Sequence, residues 1–161
     1  PGNEHARVIV QPDGKVQVDS GSIDLVFSTQ VLEHVQDPAL YLGEAMRMLK
    51  PGGRLILTTH GTFIYHPDPE DNWRWTSSGL KRQVEMAGFK VTHIEGLVGG
   101  APAALQFFQD SFWSRIPKKP RFLRKSFFWI MQSLITWMDK RYSAAGRLRD
   151  AWVFAVVAEK P

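Results

Sequence analysis

Two stretches of the 161-residue chain concentrate side chains that can handle protons or charge. His60 to Thr76, HGTFIYHPDPEDNWRWT, holds two histidines, three acids, one arginine, Tyr65, Trp73 and Trp75. Imidazole titrates near neutrality, so His60 or His66 can serve as a general base. Arg74 can fix an acidic acceptor through its planar fork. The two tryptophans suit either an apolar, stacking wall or an anchor into the core. His66-Pro67-Asp68-Pro69 must be extended, because each proline turns its predecessor away from helix. The stretch therefore reads as a lid or an acceptor-pocket loop. His60, His66, Asp68 and Asp71 also carry metal-donor atoms, but at no recognised ligand spacing. The second stretch is Ser28-Thr29-Gln30-Val31-Leu32-Glu33-His34. Glu33 and His34 can orient this loop or act on an acceptor; the plainer alternative is local capping by Glu33 and backbone bonding by His34.

One unit must position both stretches. Ile23 to Ser28 is an apolar run broken only by Asp24, as in a strand covered on both faces at the centre of a parallel sheet. Asp37-Pro38 supplies an N-cap and a first-turn proline, and Tyr41, Leu42, Ala45, Met48 and Leu49 recur at helical spacing. Pro51-Gly52-Gly53 is expected to end that helix, and Arg54 to Thr59 to form the next strand. The result is a βαβ unit with a right-handed crossover. Ligands of open α/β sheets bind beyond the carboxyl ends of the strands, which puts 28–34 and 58–66 on one rim.

DLVFSTQVLEHV, followed by DPALYLGEAMRMLKPGGRLIL and HPDPEDNWRWTSSGLKRQVEMAGFKV, resembles the class I S-adenosylmethionine-dependent methyltransferases, in particular the small members with a (S/N)xxVLEHV segment. The resemblance covers roughly residues 7–97 and 151–160. It implies a Rossmann-like α/β fold with a mostly parallel sheet and a last strand, 151–158, inserted antiparallel between its predecessors. It also implies S-adenosylmethionine as cofactor, with Ser28, Thr29, Gln30 and His34 in contact with it. Asp13 would accept from the adenine amino group, with the Gly14 amide nearby. By pattern alone the same region, Arg7 to Val10 and Lys15 to Val18 around Pro12-Asp13-Gly14, is a hairpin, and Asp13 a turn residue bonding its own backbone. The family's acidic, glycine-rich loop and the acid that ends its second strand have no counterpart here. Relative to the family the chain is expected to be N-terminally truncated, and its binding of the cofactor alone is in doubt. Methyl transfer to a small or lipid-like acceptor is the expected activity; the alternative is a non-catalytic remnant acting as an oligomeric or membrane-surface module.

At 161 residues and 43% hydrophobic, one domain with a substantial core is expected. It divides into a sheet core (1–98), a basic helical insertion (99–150) and a last strand (151–160). Zero cysteines exclude a disulfide scaffold and cysteine chemistry, and fit a cytoplasmic protein. Thr76 is expected to cap a helix through Ala87 with Gly88 as its stop, before a strand from Phe89 to Leu97. The insertion reads as helices over Pro102 to Arg115, with Leu105, Phe108 and Phe112 aligned, and Phe127 to Tyr142. From Ser111 to Arg149 there are ten Lys or Arg against Asp139 alone, so this segment is near +9 and the remainder near −5, for a net +4. A basic run feeding an aromatic amphipathic helix suits an anionic membrane surface, through 115–138, and peripheral membrane association. A helix over the cleft or a homo-oligomer contact is the competing reading. Nucleic acid is disfavoured, since the aromatics are not interleaved with the basic residues.

Overall fold

The computed structural model describes residues 14–113, 115–116 and 120–161. The expected strand Arg7 to Val10, the candidate Asp13 and positions 117–119 of the basic run lie outside them. The elements are β1 (Ile23–Thr29), α1 (Pro38–Met48), β2 (Leu49–His60), α2 (Ser77–Met86), β3 (Lys90–Gly99), α3 (Gly100–Trp113), α4 (Arg121–Asp139), α5 (Ala144–Arg149) and β4 (Ala151–Glu159).

The sheet order is β1-β2-β4-β3. β1 pairs parallel with β2, whereas β4 pairs antiparallel with both β2 and β3. Three strands thus share one direction and the last runs against them, the insertion expected from the resemblance. A "mostly parallel" sheet holds for strand direction but not for the ladders, of which two in three are antiparallel.

Helix α1 starts where Asp37 Oδ1 accepts from Ala39 N (2.9 Å) and Leu40 N (3.0 Å). It sinks Leu42 and Ala45 into a core shared with Leu55, Leu57, Leu80 and Phe154. Thr76 caps α2 by accepting from Gly79 N, and Gly88 stops that helix at φ +96°.

The expectations fail at four places. Pro51-Gly52-Gly53 does not end α1; Met48 does, and the three residues form an irregularity inside β2, where Ile23 pairs with Leu49 but Leu25 with Arg54. Gly52, at φ +76°, donates to Lys160 O, and Lys160 N donates to Gly53 O, so the glycines serve the junction with β4's end. The α1 terminus is instead held by the Lys160 ammonium, which donates to Met46 O and Leu49 O at 2.7 Å. Secondly, β1 is an edge of the described sheet: Leu25 and Phe27 alternate with Val26 and Ser28 onto an exposed side, so a continuous apolar run here does not mean two covered faces. Thirdly, Lys15 to Val18 is not a continuous strand: Val16 alone forms a β-bridge, and it is also pinned to α1, its N–H donating to Glu44 Oε1 and its carbonyl accepting from Arg47. Fourthly, α4 begins at Arg121, so Arg121, Arg124 and Lys125 are helical and not a linker, and α3 buries Ala103 and Gln109 while Phe108 and Phe112 stay exposed.

Helix α5, absent from the sequence reading, packs backbone against sheet at Gly96 and Gly99. A Cβ on Gly96 would lie 2.4 Å from Arg147 O. Gly43, in α1, has nothing within 4 Å of that position. In urea denaturation Gly96→Ala is expected to destabilise by about 1–3 kcal/mol, whereas Gly43→Ala should stabilise by about 0.5–1 kcal/mol through helix propensity.

Candidate functional site

The site lies where the carboxyl ends of β1 and β2 release their chains. At the end of β1, Gln30 takes a left-handed conformation (φ 52°), its N–H donating to Thr58 O and its Nε2 to Thr58 Oγ1. That turn directs Leu32 and Glu33 inward, and both are fully buried. Glu33 Oε2 accepts from Thr59 Oγ1 at 2.8 Å, and Oε1 lies 3.1 Å from His60 Nε2, close enough for an ion pair but without a hydrogen bond's alignment. His34 Nε2 stands 3.9 Å from the same oxygen.

The 61–76 segment is laced over this loop. Asn72 N and Trp73 N both donate to Glu33 O, Asn72 Nδ2 donates to His34 O, and Trp75 N donates to His60 O. His34 Nδ1 donates to Glu70 O at 2.6 Å, which fixes the tautomer, since a carbonyl can only accept. The Trp73 indole donates to Val35 O, and Trp75 packs on the core. Both tryptophans therefore anchor the loop.

Three imidazoles gather here: His34–His60, His34–His66 and His60–His66 ring centres are 6.3, 5.9 and 6.0 Å apart. His60 is 2% exposed and stacks on Phe63 at 3.7 Å, whereas His66 is exposed. Burial, reinforced by Arg74's charge, pushes His60 down to about 4. The nearby Asp71 carboxylate pulls the other way, but desolvation of the ring wins and it is neutral at pH 7.

Arg74 is committed to the loop itself. It clamps both oxygens of Asp71 and donates to the carbonyls of Phe63, Ile64 and Trp73. The Arg74 bond and the His66 amide hold the Asp71 carboxyl down at about 2.

The other sequence candidates are dispersed. Ser28 is buried and accepts from Tyr41 Oη, whose own proton is held more tightly because the ring is buried. Thr29 is exposed at the end of β1. Gly14, at φ +81°, sits against Leu40 of α1. In the sequence Glu33 was legible as a residue that orients the loop, acts on an acceptor or caps locally, but not as a buried tie between strands. The signal for more is an acid beside Leu32 at a strand's carboxyl end, where the chain must turn inward. Among the described residues no three histidine or carboxylate groups are arranged to hold a metal ion.

The chain is similar to known proteins in sequence over part of its length and in fold over most of it. Residues 2–57 match the family model described as a methyltransferase domain. A probable S-adenosylmethionine-dependent methyltransferase of Mycolicibacterium smegmatis is 29% identical over 96 residues, covering 56% of this chain and 37% of that protein. The crystal structure of a [4+2]-cyclase superposes with a TM-score of 0.51 at 19% identity, over 90% of this chain and 53% of that one. An S-adenosylmethionine-dependent methyltransferase from Mesorhizobium loti gives 0.51 at 14% identity, over 89% and 64%. The chain is thus similar to S-adenosylmethionine-dependent methyltransferases in sequence over part of its length and in fold over most of it. It spans 37% of the mycobacterial relative's length and 53% of the cyclase's.

The depressed His60 value makes a signed prediction. The unfolded ring protonates near 6.5 and the folded one near 4, so between those values the unfolded chain binds more protons and stability falls as pH drops. Asp71 acts lower, between 3.8 and about 2. Urea midpoints should therefore decline from pH 7 to 4.5, and His60→Gln should flatten that decline; equal slopes in the two proteins would refute the assignment.

Proposed function

We propose that the protein transfers a methyl group from S-adenosylmethionine to a small or lipid-like acceptor, and that the rim formed by 28–34 and 60–74 is one wall of its cleft. The reading is carried by one observation: the three histidines meet at the carboxyl ends of two adjacent parallel strands in a methyltransferase fold. The residues present fit a polar cofactor and acceptor. Glu33 Oε1 and His60 Nδ1 are buried polar atoms with no hydrogen-bond partner, and such atoms call for a polar group beside them.

The cofactor, when bound, supplies an activated methyl on a good leaving group, so the protein's share is proximity, alignment and exclusion of water. Thr29 and the Gln30 turn present hydroxyl and backbone groups at the end of β1. His34, locked by Glu70, keeps the loop in register. Of the two candidate bases, His66 is the one an acceptor can reach, and it takes the acceptor's proton as the new bond forms. His60 is too weakly basic for that step, and its place under Phe63 makes it a positioning residue. Arg74, with its donors engaged on Asp71 and carbonyls, shapes the lid and does not bind the acceptor. An open groove of about 310 Å³ between Phe63, Tyr65, Trp73 and Arg74 lies next to these groups.

Calorimetric titration of the full gene product with S-adenosylhomocysteine should show saturable binding; none at millimolar ligand would sink the reading. With an acceptor in hand, His66→Ala should lower kcat about 10²- to 10⁴-fold while leaving that binding intact.

A further inference from the structure

The α3–α4 hairpin has two unlike sides. On one, Gln132 Nε2 donates to Gln106 Oε1 (2.9 Å) and Gln109 Oε1 (3.1 Å), and Trp113 meets Phe128, closing the helices on each other. On the other, Leu123, Ile130, Leu134 and Trp137 fall at steps of seven, four and three, which is one face of a helix. All four are exposed, Ile130 at 67%, and only Met131 and Ile135 of α4 are buried. Phe127, in ring contact with Phe112 at 6.0 Å, continues that face onto α3, where Phe108 stacks on Phe112. Phe122 and Trp129, also exposed, lie seven apart along the face's other margin. A helix serving the core would bury such a stripe.

The charges around it have one sign. Arg121, Lys125, Lys140 and Arg141 have no acidic partner among the described residues. The nearest acid of the helix, Asp139, is taken up by Arg147 and the Gly99 amide. Arg141 lies over the indole of Trp137 at 3.9 Å, so a cation sits on the stripe itself, whereas Arg124 lies over Trp113 on the side where the helices close on each other.

We propose that this aromatic side of the hairpin docks on an anionic lipid surface, lying in the interface plane with the stripe in the acyl boundary and the basic residues among headgroup phosphates. Charge complementarity selects that occupant. A second copy would have to meet the same patch through a two-fold axis, setting basic rim against basic rim with no acid between them. Among the described residues no helix is long and apolar enough to cross the bilayer, so a surface position is what the hairpin allows. The inference does not depend on methyl transfer and is tested without cofactor.

The experiment is co-sedimentation of the full chain with vesicles of phosphatidylcholine alone or mixed with phosphatidylglycerol, read together with tryptophan emission. Binding to the anionic vesicles, with a blue shift and with loss at high salt, is expected. The double variant Ile130→Ser, Trp137→Ser, its fold verified by circular dichroism, should lower partitioning about tenfold or more, and Arg121→Glu with Lys125→Glu should remove the preference for anionic lipid. No binding, or binding indifferent to both pairs of substitutions, overturns the proposal. So does a dimer that Ile130→Ser dissolves and that ignores vesicles, because the face would then be a self-contact.

Discussion

Burying a carboxyl group is costly unless hydrogen bonds replace its water, and at Glu33 this chain meets that demand at one oxygen, Oε2, through the Thr59 hydroxyl. Its side chain takes the Thr59 hydroxyl and the edge of His60, while its carbonyl takes two amides from the 61–76 segment. One residue thereby ties the loop after β1, the end of β2 and the covering segment to one another. Removing the Thr59 hydroxyl would leave a buried carboxyl oxygen without its donor, so the three pieces keep one arrangement. The close placing of His34, His60 and His66 follows from that arrangement.

Much of the scaffold was legible because local chemistry and tertiary packing agree. Asp37-Pro38 and Thr76 start helices by satisfying their first amides, and Leu42, Leu80 and Val84 recur at the spacing that reaches the core. The antiparallel last strand followed from family resemblance alone, since nothing within AWVFAVVA states its direction. Legibility ended where the deciding partner is distant in sequence. Pro51-Gly52-Gly53 looks like a helix stop until Lys160 is seen closing on it. An apolar run cannot tell a central strand from an edge. Arg74 looked free because Asp71 and the carbonyls of Phe63 and Ile64 converge on it only when the loop folds. Glu33 could not be read as central because Thr59 and Asn72 reach it from residues 26 and 39 positions away.

The site and the basic hairpin are joined by rings. His60 stacks on Phe63, Phe63 leans on Trp152 of β4 at 4.4 Å, and Trp152 meets Phe107 of α3 at 6.4 Å. The hairpin is therefore continuous in packing with the rim on which the chemistry is placed.

The rim locked by Glu33 is proposed as the ligand-binding wall. It is tested most directly by ¹⁵N spectra of the histidine rings as S-adenosylhomocysteine is added to the full gene product. The account predicts that the His34, His60 and His66 resonances shift in a saturable way while His93, exposed on β3, does not. Saturable binding that leaves those three rings unmoved would contradict it.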